Sequence, residues 1–179
     1  AQDIESILTG KLLVSDPGLR DPNFFQTVVF ILEHSEKGSV GLIINQLVAI
    51  VSLKSLEKDL GIDKKGAVGS VPLHFGGPVQ PENFFALHTN DFSVERTTEV
   101  SGGLAISPAS EIVESISEGR GPSRILFALG YAGWAPNQLE DEIEIGSWNI
   151  VPADLEIIFG GQGQAAKWRM AIKRIPADL

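Results

Sequence analysis

The segment from Gly130 to Asp154, GYAGWAPNQLEDEIEIGSWNIVPAD, constrains this chain more than any other stretch. It follows Arg124 to Leu129 (RILFAL), an apolar run short enough for a strand buried on both faces. Gly130 breaks that run, and Pro136 supplies the fixed φ that suits the start of a helix. Leu139 and Ile143, four residues apart, share the inward face of that helix. Glu140, Asp141, Glu142 and Glu144 are expected mostly to face water, those nearest the start favoured by the helix dipole. Gly146 ends the helix, and Trp148 and Ile150 alternate on a return strand. The segment reads as strand, turn, acidic helix and strand, with Trp134 and Trp148 as packing anchors and no recognisable chemistry.

The rest of the chain reads in the same terms. Lys11 to Ser15 is a strand stopped by Asp16-Pro17-Gly18, and the loop through Asp21-Pro22-Asn23 presents Phe24 and Phe25 to the core. Thr27–Glu33 and Val40–Asn45 form a hairpin around Ser35-Glu36-Lys37-Gly38. Both arms are apolar at nearly every position, which predicts a central place with both faces covered. Ser52 caps a helix through Leu60 that ends at Gly61. Val71–Phe75 and Phe84–His88 read as strands around Gly76-Gly77-Pro78, followed by strands at Val94–Val100 and Gly103–Ile106. Ser107-Pro108 opens a helix striped by Ile112, Val113 and Ile116, with the serine as N-cap, and Gly119 ends it. A short helix follows Pro152 through Phe159. A last one begins at Gln164, with Trp168, Ile172 and Ile175 inward and Lys167, Arg169, Lys173 and Arg174 as a solvated rim.

Bulk properties bound the function. The 179 residues suit one domain and show no linker or repeat. A formal charge of −9 opposes sequence-independent binding to nucleic acid or anionic lipid. The absence of cysteine excludes disulfides, thiol nucleophiles and thiolate metal sites. No apolar run approaches the roughly 20 residues of a membrane span, and AQDIESILTG has no basic region leading into an apolar one. A soluble, cytoplasmic location is therefore expected, with no membrane partner.

Candidate chemistry is sparse. Of the histidines His34, His74 and His88, His34 beside Glu33 is the best placed for acid–base work. With Asp16, Arg20, Asp21, Asn23 and Asn45 it defines a candidate ligand or interaction cluster, set against a plain hairpin-end hydrogen-bond network. Gly161-Gln162-Gly163-Gln164 looks like a dinucleotide-binding turn, but the chain ends before a second βα unit could follow. Gly76-Gly77-Pro78-Val79 reads as a tight turn before it reads as an anion-binding nest. No metal-ligand spacing and no GxSxG elbow occurs, so no catalytic residue, metal or cofactor is assigned.

Taken together, these motifs resemble the AlgH/YqgE family of bacterial proteins, named after a proposed regulator of alginate synthesis. The similarity covers Leu12 to Asn45, GGPV from Gly76, GYAGWAPNQLEDEI from Gly130, Trp148 with PADLEIIF, and Trp168 with Ala171. It implies a single α+β domain over residues 1–179, with a bifurcated, barrel-like, mostly antiparallel sheet surrounded by helices. Leu47 stands where many relatives carry proline, which predicts a looser loop there, and Asn137 where many carry glycine. The family brings no established activity. The expected function is non-enzymatic, through contacts with another protein and with a regulatory effect open to it. Two alternatives stand beside it: a ligand site or enzyme built on the Asp16–Asn23 loop with Glu33, His34 and Asn45, and a regulator that binds DNA directly. The acidic charge and the lack of a helix-turn-helix signal weigh against the last.

Overall fold

Where the backbones of Gly76, Gly77 and Gly130 cross, a ten-stranded sheet divides in two. The computed structural model describes residues 8–19 and 21–176. Its elements are β1 (Leu12–Ser15), β2 (Val28–Ser35), β3 (Gly38–Ile43), β4 (Leu47–Ser52), α1 (Leu53–Asp59), β5 (Ser70–Phe75), β6 (Val79–Thr89), β7 (Thr98–Ser101) and β8 (Leu104–Pro108). There follow α2 (Ala109–Ser117), β9 (Ile125–Trp134), α3 (Gln138–Glu144), β10 (Trp148–Val151), α4 (Leu155–Phe159) and α5 (Gln164–Ile172).

The main strand order is β10-β1-β2-β3-β9-β6-β8-β7, with β5 against β9 and β4 against β5. All pairs are antiparallel except β5 with β9. One flank of β9 changes partner along its length: Phe127 to Leu129 face β5, and Ala132 to Trp134 face β3. The change falls at Gly130, whose φ of 73° places it in the left-handed region. A methyl group on Gly76 would collide with the Gly130 carbonyl, and one on Gly77 with the Tyr131 backbone. Gly76 itself stitches the branches together, its N–H donating to Leu129 O at 2.7 Å and its carbonyl accepting from Ile43 N at 2.8 Å. Gly76-Gly77 is thus a backbone crossing, in keeping with the turn reading of that motif.

The central hairpin is covered on both faces, as its composition predicts. Leu12, Val14, Phe30, Leu42 and Ile44 pack with Ile157, Ile158 and Trp168 on the side of α4 and α5. Leu13, Val29 and Ile31 pack with Trp134, Leu139 and Trp148 on the side of α3. A third cluster sets Ala86 and Phe127 of the other branch against α1 and α2. Each such aliphatic or aromatic side chain contributes about 1.5–3 kcal/mol on burial. The bifurcated α+β architecture implied by the resemblance is the one observed.

Several local expectations are corrected. Leu47–Ser52 is a strand, where the sequence suggested only a loose loop after Asn45. Val94–Thr97 is a turn, not a strand, because Thr97 Oγ1 accepts from Val94 N at 2.8 Å and Arg96 Nε pairs with Glu111 at 2.6 Å. Ser107 is not the cap of α2. It lies within β8, Pro108 occupies the N-cap position, and no side chain caps that helix. Asn137, at the start of α3, has φ 67°, a left-handed conformation that asparagine tolerates in glycine's place.

Candidate functional site

The Gly130–Asp154 segment folds into an aromatic clamp. The indole N–H groups of Trp134 and Trp148 both donate to Oε1 of Glu142, at 3.1 and 2.9 Å. Gln138 Nε2 donates to the other carboxylate oxygen at 2.9 Å. The two indoles meet edge to face, and Phe24 stacks on Trp134 while presenting its edge to Trp148. Glu142 therefore faces inward, contrary to its expected place on a solvated face. Its charge suggested the polar side, but Glu142 lies three residues after Leu139, hence beside the inward face, where two buried indoles need an acceptor. Asp141 and Glu144 are exposed, as expected.

The seven residues of the candidate cluster do not share one cavity. Asp16 and Asp21 accept from the amides of Gly18 and Asn23, each at 2.9 Å, and so shape the loop that delivers Phe24. Asn23 is exposed, and Arg20 lies outside the described residues. Glu33 is exposed and borders a groove of about 580 Å³ with Phe85, Arg96, Ser107 and Tyr131. His34, its neighbour on β2, points the opposite way and is 4% exposed. Its Nδ1 lies 2.5 Å from Ser39 Oγ, and its Nε2 lies 3.7 Å from Glu140 of α3. The imidazole thus has a carboxylate neighbour, but it is Glu140 and not Glu33. Asn45 is buried and fully engaged: Oδ1 accepts from Val28 N at 3.0 Å, and Nδ2 donates to Gln26 O and Gln164 O at 2.9 and 3.0 Å.

A different set of groups converges beside Asn45. A cavity of about 180 Å³ lies between the β4–β5 ribbon, the start of β9 and the loop from α4 to α5. Lys167 and His74 line it, and both are buried, at 2% and 8% exposure. Lys167 Nζ donates to the carbonyls of Ile44 (3.2 Å) and Ile158 (2.9 Å), so it is no part of the solvated rim expected for the last helix. Burial lowers its pKa from 10.5 to about 8. Burial, reinforced by the nearby Lys167 charge, lowers His74 from 6.5 to about 4, and its Nδ1 is buried with no hydrogen-bond partner. Leu47, Ile50, Pro72 and Phe159 supply apolar walls. The glycine loop carries no dinucleotide signature, because the residues before it form α4 instead of a strand.

The sequence reading named His88 and Ser107 separately and missed that they meet. Ser107 Oγ lies 2.7 Å from His88 Nε2, while His88 Nδ1 lies 2.8 Å from Thr89 O, which fixes the proton on Nδ1. The serine–imidazole distance is that of a nucleophile and its base. Yet Ser107 is also held by Thr97 Oγ1 at 2.8 Å, and the next residue, Pro108, has no N–H to stabilise an oxyanion. The chain of bonds pins β8 to β6. Among the described residues no group of three or more His, Cys, Asp or Glu could hold a metal, and no helix is long and apolar enough to cross a membrane.

Fold and site together define a single α+β domain with a split sheet, an aromatic clamp on the α3 side of the central hairpin and a lysine-floored cavity between the β4–β5 ribbon and the α4–α5 loop. Its residues 12–179 match the AlgH-like family model. A UPF0301 protein of Paracoccus denitrificans is 40% identical over 98% of this chain and 94% of its own length. One from Cupriavidus metallidurans is 41% identical over 96% and 90%. The solution structure of the AlgH protein from Pseudomonas aeruginosa superimposes with a TM-score of 0.76 at 32% identity, covering 99% of this chain and 93% of that one. A crystal structure from Corynebacterium diphtheriae, 24% identical, shares the fold with a TM-score of 0.72 over 93% and 86%. The chain belongs to the AlgH-like family.

Proposed function

We propose that this chain acts as a binding protein, through contacts made along β4 with an extended segment of another protein; any regulatory effect would pass through that contact. The observation that carries this reading is the character of β4. It pairs with β5 alone, so one row of its backbone donors and acceptors faces away from the sheet. Leu47, Val48 and Ile50 are 55%, 57% and 62% exposed. Edge strands are ordinarily guarded by charge, proline or shortness. The other two edges, β7 and β10, are four residues each, whereas β4 has six, with neither charge nor proline. On a chain of net charge −9, an uncharged aliphatic edge suits an added strand whose backbone supplies the bonds and whose alternate side chains meet the aliphatic row.

The test is a photo-crosslinking amino acid placed at Val48 in cells of the source organism, with Ile145, the exposed C-cap residue of α3, as control. The expected result is a discrete adduct with a second polypeptide at position 48 and none at 145. Adducts of twice the chain mass would assign the edge to a second copy and overturn the stated partner. Equal labelling at the two positions would overturn docking through β4.

A further inference from the structure

The cavity floored by Lys167 holds an arrangement that packing alone does not explain. An ammonium group has three protons to donate. Lys167 Nζ gives two to carbonyls, at Ile44 and Ile158, which leaves one for the cavity it lines. A lone amine can bond backbone carbonyls without a ligand, but here a second polar group stands unpaired beside it. His74 lines the same space, and its buried Nδ1 makes no hydrogen bond among the described residues. Buried polar atoms without a partner are rare, because each costs about 1–3 kcal/mol.

The loop supplies the third observation. Gly161 and Gly163 line the cavity, yet neither has a positive φ, and a Cβ added to either would meet nothing within 4 Å. Conformation and packing therefore do not demand glycine at these positions. Bare backbone in such a place lets a ligand approach the main chain closely. Gly163 is also the N-cap of the nine-residue α5 and offers no side chain to its first amides. Those amides have no acceptor inside the helix and carry the positive end of its dipole.

We propose that this cavity binds a small carboxylic acid. Its carboxylate rests against Lys167 Nζ, His74 and the first amides of α5, and its short apolar portion lies against Leu47, Ile50, Pro72 and Phe159. The volume of about 180 Å³ admits a compact molecule of a few carbons and excludes a nucleotide. Among the described residues the lining carries no carboxylate of the protein. Its other polar side chains are Asn45, whose amide is already engaged, and Gln162 and Gln164 of the loop, while the remaining side chains are apolar, which favours an acid with an alkyl tail over a bare phosphate. The cavity shares Leu47 and Ile50 with the β4 edge, but Val48, the docking probe, is not part of its lining, and the titration below needs no second protein, so the two readings fail separately.

The experiment is an NMR titration of the whole chain with hexanoate, hexanamide and inorganic phosphate, read from backbone amides and from the His74 ring. Hexanoate is expected to give saturable shifts at Gln164 to Lys167 and at His74, with a dissociation constant of about 1 mM or tighter. Hexanamide, which lacks the charge, and phosphate, which lacks the tail, should each bind at least about tenfold more weakly, a factor near 1.4 kcal/mol. Lys167→Met keeps the side chain's length and removes its charge, and should abolish the hexanoate shifts. Because Lys167 is buried, a second variant is needed that leaves the interior untouched: Ile50→Glu, at the exposed lip, sets a charge against the acid's apolar portion and adds repulsion to its approach, and should weaken binding several-fold. No saturable shift with hexanoate up to about 10 mM, well above the expected constant, overturns the proposal. So does equal binding of hexanamide, or full affinity in a folded Lys167→Met protein.

Discussion

Replacing Glu142 by alanine tests the aromatic clamp directly. The wild-type carboxylate accepts two indole N–H bonds through one oxygen, at 3.1 and 2.9 Å, and the Gln138 amide through the other, at 2.9 Å. A hydrogen bond to a charged group contributes about 1.5–3 kcal/mol, and a donor left buried without a partner costs about 1–3 kcal/mol. Trp134 and Trp148 are almost wholly buried, whereas Glu142 is half-buried, so water can reach part of the vacated space. Counting about half of the charged-bond value for each indole gives a loss of about 2 kcal/mol, against a total stability on the order of 10 kcal/mol. For a chain of 179 residues that loss lowers Tm by about 4–8 °C. Urea denaturation followed by tryptophan fluorescence measures it. Glu142→Gln retains an oxygen that accepts from both indoles and should lose only about 1 kcal/mol, the difference between a charged and a neutral acceptor. In a double-mutant cycle, Trp148→Phe should cost about 1–2 kcal/mol less beside Glu142→Ala than in the wild type, since the packing loss is common to both. If Glu142→Ala lies within about 0.5 kcal/mol of wild type, the usual range of neutral surface substitutions, the carboxylate is not what holds the indoles.

Three further outcomes follow from the geometry. Gly76→Ala, whose methyl would collide with the Gly130 carbonyl, should cost about 4 kcal/mol or more, seen as a lowered urea midpoint or loss of the folded protein. Asn45→Ala removes three bonds and strips the Val28 amide of its acceptor; a loss of about 2–4 kcal/mol and faster hydrogen exchange at Val28 should follow. The pH dependence has a defined sign: His74 has a folded pKa of about 4 against 6.5 unfolded, so between those values the unfolded chain binds more protons. Stability is then fully present above pH 6.5 and falls towards pH 4, by up to about 3 kcal/mol from this residue. A His74→Phe protein should show a shallower slope in urea titrations across that window, and an unchanged slope would refute the assignment.

What was legible in the sequence was whatever local pattern controls. The apolar runs of β1, β2, β3 and β9 announce strands buried on both faces, and Ser52 caps α1 as its position suggests, accepting from Ser55 N at 3.1 Å. The split of the sheet was not legible from periodicity and entered only through the family resemblance. It depends on Gly76, Gly77 and Gly130 meeting across more than fifty positions of chain, and no window contains that distance. β4 was missed because an aliphatic edge strand lacks the alternation of a half-buried one. Ser107 carried a genuine capping signal, Ser-Pro before an apolar stripe, but His88 on the neighbouring strand competes for the same hydroxyl. Glu33 and His34 are adjacent in sequence, and strand geometry sends them to opposite faces. That one rule separates the two residues on which the candidate acid–base pair relied.

The same contrast separates residues that serve the fold from those that do not. Trp134, Trp148, Asn45 and the crossing glycines each have a partner whose loss explains why that side chain is needed. Lys167 and His74 do not fit that pattern. Burying an ammonium group penalises folding, as its lowered pKa records, and an aliphatic side chain of similar length would fill the space without that penalty. His74 adds an unpaired nitrogen next to that charge. Among the described residues the other buried side-chain polar atoms have hydrogen-bond partners, yet this fold holds a buried ammonium near an unpaired nitrogen, beside a loop in which neither conformation nor packing requires Gly161 and Gly163. Local costs of this kind collect where a protein meets a ligand. On physical grounds, then, chemistry in this domain belongs with the lysine cavity beside Asn45, and the family's most distinctive segment belongs with the structure that holds it in place.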